Sequence, residues 1–151
     1  MSKMNFEQRS NARGTPPQAQ FRPIAWWLRI LVVLGALLTA MGAVIALVHP
    51  AMLVSPHDEI NGAVRIYAGY LAARNLALAV MLIGLLLAGA RRGLANLMVL
   101  VGFIQLLDIC MDIAEGRWAV APGVFVFGVV FLVAASRLIG DPFWRIEFWT
   151  G

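Results

Sequence analysis

Four long runs of apolar residues, separated by short polar breaks, dominate the chain. The first, Ile24 to Val48, follows Pro23, carries the Trp26-Trp27 pair near its start and stops at His49-Pro50. Proline suits a first helical position, and it cannot continue a helix at the far end. The run exceeds the ~7–15 apolar residues of a signal-peptide core and precedes no good cleavage motif, so it reads as a retained span. The second run begins at Ser55-Pro56-His57-Asp58, where Ser caps, Pro takes the first helical position and Asp58 completes a capping-box spacing. A helix unbroken from there to Ala90 is about 50 Å long, well beyond the ~30 Å hydrocarbon core, so its lipid-embedded part is taken as residues 69–90. The third run covers residues 93–113 and the fourth residues 118–138, before Gly140-Asp141-Pro142 breaks the pattern.

The breaks are short at Arg91-Arg92 and at Glu115-Gly116-Arg117, which forces neighbouring segments to run antiparallel. The predicted fold class is all-α, a transmembrane four-helix bundle over residues 23–140. Residues 1–22, with Gly14, Pro16 and Pro17 among polar side chains, read as a disordered tail. Residues 141–151 place Phe143, Trp144, Ile146, Phe148 and Trp149 among Arg145 and Glu147, a composition suited to an interfacial aromatic tail.

Composition agrees with this pattern: of 151 residues 61% are hydrophobic and 13% charged, and mean hydropathy is +0.81. So few charges cannot clothe a water-soluble domain of this size. The lipid bilayer is therefore a partner of the chain. The net charge of +4 comes from 12 basic residues, of which only Lys3 is a lysine, against 8 acids. No basic run alternates with aromatics, so nucleic acid is not an expected partner. The basic residues report orientation instead. Lys3, Arg9, Arg13, Arg22, Arg91, Arg92, Arg137 and Arg145 fall on one side, Arg65 and Arg117 on the other, and Arg29 and Arg74 within spans. Basic residues favour the cytoplasmic face, so both termini are expected to be cytoplasmic and the protein multi-pass in the cell inner membrane. Cys110 is the only cysteine, which excludes an internal disulfide, a CxxC pair and a cysteine metal cluster.

Most span residues supply insertion energy and packing. Gly35, Thr39, Gly42, Gly123 and Gly128 are small enough to allow close helix approach. The exceptions are Arg74 and Asn75 in the second span and Gln105, Asp108 and Asp112 in the third. A central Arg or Asp costs about 2.5–3.5 kcal/mol on insertion, whereas each Leu or Ile returns only ~0.3–0.6, so these charges require partners. Counted from the Arg91-Arg92 turn, Arg74 and Asp108 both stand roughly 23 Å away, at one depth. Gln105, Asp108 and Asp112 follow i, i+3 and i+7 on one face, as do Tyr67, Tyr70 and Arg74. Two polar stripes can thus face each other, with Arg74 against Asp108, Asp112 or both.

A simple ion pair that fixes helix register needs one carboxylate for one arginine. Here two Asp, one Asn, one Gln and two Tyr gather at similar depth, an excess that suits a buried cluster lining a water-filled or ligand-filled cavity. Two carboxylates beside one guanidinium would share a proton, as in an acid/base pair. The candidate catalytic residues are Asp108, Asp112 and Arg74, with Tyr67, Tyr70, Asn75 and Gln105 as candidate binding residues. His49, His57, Asp58 and Glu59 match no metal-ligand spacing, and no phosphate loop, nucleophile elbow or dinucleotide motif occurs. Neither a metal nor another cofactor is expected.

The run from Tyr67 through Arg74-Asn75, the basic Arg91-Arg92 turn and the apolar helix ending at Leu107-Asp108 resembles small four-helix integral membrane proteins of bacteria and fungi, a family of unknown function. The likeness covers about residues 63–115. Ala73 stands where that family often has Gly, and Asp112 is an additional acid. The resemblance implies the four-helix fold, a membrane location and a special place for Arg74, Asn75 and Asp108, and no activity.

Three functional readings stay open. One is a membrane enzyme acting by acid/base chemistry on a lipophilic small molecule. Another is a small transporter, which would need a homodimer because four helices enclose too little pathway. The last is a non-catalytic membrane subunit whose polar cluster is a structural ion pair.

Overall fold

The computed structural model describes residues 24–53 and 61–150. Five α-helices follow in order: α1 (Trp26–Val48), α2 (Gly62–Leu87), α3 (Arg91–Ala114), α4 (Ala121–Ile139) and the short α5 (Ile146–Thr150), with a 3-10 turn at Pro50–Leu53 after α1. The described residues contain no strand. The four long helices are each long and apolar enough to cross a membrane. They alternate in direction, so Ile24 and α5 share one end of the bundle with the 88–90 turn, here called the tail end. The α1–α2 and α3–α4 connections occupy the other, the loop end.

Helix limits follow local chemistry. The backbone N–H of His49 still bonds the Ile45 carbonyl (2.8 Å), and Pro50 then ends α1. Asn61 caps α2: its backbone is extended and its side-chain oxygen accepts the Val64 N–H at 3.1 Å. An extended Asn61 means that α2 starts at Gly62 and is not one helix running from Ser55. The Ser55–Asp58 cap, like residues 1–22, lies outside the described residues. The helix is therefore 26 residues, about 39 Å, closer to a single bilayer crossing than the 50 Å expected from sequence. The fourth helix starts at Ala121 rather than 118, with Pro122 in its first turn.

Packing is unequal along the bundle. Ala43 and Ala46 of α1 meet Ala68 and Ala72 of α2, a contact of methyl groups that brings these two helices close near the loop end. In α3 and α4 the backbones themselves meet. A Cβ built on Gly102 would sit 2.8 Å from Leu132 Cγ and 3.1 Å from the Gly128 carbonyl oxygen, and one on Gly128 would sit 3.2 Å from the Gly102 oxygen. Gly35 lets the Phe131 ring of α4 pack against α1. Gly123, by contrast, faces open space.

Between the two hairpins, large side chains fill only the tail-end half: Val32, Leu82, Leu94, Met98, Val99, Val101, Phe131, Leu138 and Phe148 are fully enclosed. The aromatic tail joins this core, which departs from a tail that merely rests at an interface. Phe148 is 0% exposed, Trp149 Nε1 donates to the Phe143 carbonyl (2.8 Å), and Phe143 stands edge-on to Phe103 with centroids 6.0 Å apart. Trp144 and Ile146 project outward. Arg91 Nη2 donates to the Leu138 carbonyl (2.7 Å), satisfying a carbonyl at the end of α4.

The backbone contact predicts opposite effects for two glycines. Gly102→Ala should lower stability in detergent by about 1–3 kcal/mol through overpacking. Gly84→Ala, where an added methyl meets nothing within 4 Å, should be neutral or stabilising by up to ~1 kcal/mol. Reversible denaturant titration of both variants checks the pair.

Candidate functional site

At the loop end the hairpins diverge and leave a cleft of about 440 Å³ between all four long helices. Helix register divides it into levels. Tyr67, Asp112, Glu115 and Arg117 stand at the mouth. Arg74, Asn75, Gln105 and Asp108 form the waist, with Gly42 opposite. Leu38, Thr39, Leu78, Val101 and Phe127 make an apolar floor. The volume lies within the ~300–1,000 Å³ range of small-molecule sites.

The waist joins α2 to α3. Arg74 Nη2 donates to Asp108 Oδ2 at 3.2 Å, which bears out the depth count that put these residues at one level. Arg74 Nε also points to Asn75 Oδ1 at 3.4 Å, a long bond. The Asn75 amide nitrogen lies over Gly42, where a Cβ would be 3.2 Å away, so the absence of a side chain on α1 makes room for it. Thr39 Oγ1 donates to the Gly35 carbonyl (2.7 Å) and so brings no unsatisfied hydroxyl proton to the floor.

The mouth departs from expectation in its pairing. Asp112 does not share Arg74. Its Oδ1 lies 3.6 Å from Arg117 Nε, and Arg117 Nη1 lies 3.7 Å from Glu115 Oε2. Local backbone geometry produces this arrangement. Gly116 has φ +74, and its N–H bonds the Ile113 carbonyl (3.0 Å) while the Arg117 N–H bonds the Asp112 carbonyl (2.7 Å). Those two bonds are a Schellman cap, which needs a left-handed residue and turns the next one back over the helix end. Arg117 is thereby returned to the acids of its own helix. The expected pair of Asp108 and Asp112 on Arg74 is not the geometry found, since each Asp has an arginine of its own.

Two further expectations are corrected. The cluster is not buried: the Arg74 and Asp108 side chains are 39% and 38% exposed, because they border an open cleft instead of a packed interior. Tyr70 is not part of it and stands 75% exposed. At about 100° per residue it lies roughly 85° from the centre of the α2 face that carries Tyr67, Leu71, Arg74, Asn75 and Leu78. An i, i+3, i+7 stripe is wide enough to hold both faces. The other proposed residues, Tyr67, Arg74, Asn75, Gln105, Asp108 and Asp112, all line the cleft.

Arg117 and Glu115 were read from sequence only as turn residues, and the signal that could have found them is the glycine between them. His49 is exposed beyond the end of α1, and His57, Asp58 and Glu59 lie outside the described residues. Cys110 is exposed, its thiol directed to the Leu106 carbonyl at 3.4 Å. Comparison with known proteins found no matching family model, curated protein or solved structure.

The separate pairing predicts the energetics. A half-exposed ion pair contributes about 0.2–1 kcal/mol, so a double-mutant cycle on Arg74→Ala and Asp108→Ala should give a coupling of that size. The same cycle on Arg74 and Asp112 should be additive within ~0.3–0.5 kcal/mol. Stronger coupling to Asp112 would restore the shared clamp.

Proposed function

We propose that the protein is a multi-pass inner-membrane protein whose loop-end cleft binds a lipophilic small molecule. The observation that carries this reading is the coincidence of cavity and charge. The polar residues deepest in the spans surround about 440 Å³ of open space, with an apolar floor beneath them. A purely structural ion pair needs no cavity of this size beside it, and unfilled space between helices forfeits dispersion contacts. A ligand with an apolar body on Leu78 and Phe127 and a polar group at the waist would use both halves of the cleft.

Within this reading Asn75 and Gln105 face the polar group, Arg74 holds the Asp108 carboxylate at the waist, and Tyr67 flanks the mouth. Asp108 is the group placed for acid/base work, since it is the carboxylate at the waist, where it pairs with Arg74 and borders the open cleft. Asp112 is held by Arg117 and serves to shape the mouth. The likeness of Arg74-Asn75 and Asp108 to the four-helix family of unknown function belongs to the same proposal and adds no activity to it.

The test is what the purified protein carries. Mass spectrometry of organic extracts from wild type should show an enriched lipophilic molecule that Gly42→Leu lacks, because a leucine at Gly42 projects into the waist against the Asn75 amide. Asp108→Asn should retain that molecule and lose its chemical conversion. Equal loading of wild type and Gly42→Leu would refute the site.

Orientation belongs to the proposal too. The tail end carries Arg29, Arg91, Arg92, Arg137 and Arg145, and placing it in the cytoplasm opens the cleft toward the outer face. A fluorescent protein fused after Gly151 should then fluoresce, and alkaline phosphatase fused there should be inactive. The opposite pattern inverts the topology.

A further inference from the structure

We infer that the polar group of the bound molecule is cationic. The inference rests on the cleft reading above and adds to it the sign of the ligand's charge. Three carboxylates line the cleft, Asp108, Asp112 and Glu115, against two guanidinium groups, Arg74 and Arg117. The described lining therefore carries one negative charge in excess.

The placement of the arginines strengthens the sign. Arg74 directs Nη2 to Asp108 and Nε to Asn75, so two of its five N–H donors are already engaged. Arg117 stands between Asp112 and Glu115, at 3.6 and 3.7 Å. An anionic head that reaches either guanidinium sits beside a carboxylate already paired with it. A cation meets no such obstacle. It gains the surplus charge at the mouth, where apolar walls focus the field, and the open face of Tyr67 lies beside its path.

Depth fixes the rest of the molecule. Below the waist the lining is Leu38, Leu78, Val101 and Phe127, with the Thr39 hydroxyl proton already bonded. That floor accepts an aliphatic or aromatic body and offers little to a second polar group. The ligand class is thus an amphiphilic amine or quaternary ammonium compound, head toward the mouth and body toward the bundle centre.

Matched probes test the sign. Decyltrimethylammonium and decyl sulfate share one chain and differ in head charge. Each is titrated below its micellar concentration into the full-length protein in an uncharged detergent, and bound probe is counted by native mass spectrometry. Wild type should bind the ammonium at least tenfold more tightly than the sulfate. Glu115→Gln, at an exposed position outside the helices, should weaken the ammonium several-fold, and Arg74→Gln should tighten it. That gain is a change no folding defect produces. Equal or tighter sulfate binding, no binding of either probe, or ammonium binding indifferent to Glu115→Gln overturns the cationic head. Gly42→Leu separates the two claims. Sulfate preference that is lost in Gly42→Leu keeps the cleft and rejects only the sign, whereas either probe binding to Gly42→Leu as it does to wild type rejects the cleft.

Discussion

Where the helices touch through small residues decides where they do not touch at all. Gly102 and Gly128 bring the α3 and α4 backbones into contact, and the Ala43, Ala46, Ala68 and Ala72 methyl groups do nearly the same for α1 and α2. In lipid, helix association relies on such close packing, because the surrounding chains are as apolar as leucine. Each hairpin is therefore a tight unit. The hairpins meet through large side chains, and every large side chain that is fully enclosed lies in the tail-end half. At the loop end the facing residues include Gly42, Thr39 and Gly123, which are too small to bridge the gap. The cleft is what remains when tight hairpins are packed through large buried side chains at only one end.

That geometry changes what the charges experience. Arg74 and Asp108 pair at 3.2 Å while keeping over a third of their side-chain surface open. Access to the cleft lowers the cost of holding ions within helices of this apolar character, which full burial would raise to several kcal/mol per ion. The mouth follows another route to the same end. Arg117 reaches Asp112 because a left-handed Gly116 closes the α3 cap, so a backbone motif supplies an ion pair that helix periodicity alone does not contain.

Much of this was legible in the sequence. The length and spacing of the apolar runs gave four helices to within a few residues at most ends, and rise per residue matched Arg74 with Asp108 across two helices. Other features depend on rotation and on three-dimensional turns. Tyr70 shares an i, i+3, i+7 pattern with Arg74 yet faces outward, because periodicity identifies a broad stripe without its centre. The start of α2 was misplaced because Ser55-Pro56 is a good capping signal and Asn61, which caps the helix, has no such neighbours. Nothing in the sequence distinguishes Gly102, at a tight backbone contact, from Gly123, where an added Cβ meets nothing within 4 Å. Small residues mark permission for close approach, and only the partner helix shows whether it is used.

The polar waist and the open space beside it depend on each other. An ion pair as exposed as Arg74–Asp108 contributes only about 0.2–1 kcal/mol, so stability alone gives little reason to keep Arg74, Asn75, Gln105 and Asp108 together in these apolar helices. Filling the cleft while keeping the charges would strand them away from water at a higher cost. Removing the charges while keeping the cleft would leave an apolar hollow with no means of orienting what enters it. Polar groups at the waist with apolar groups below divide the space into two parts, which the proposed amphiphile would use for its head and its body. A site for an amphiphile requires both parts, and a structural ion pair requires neither the floor nor the opening.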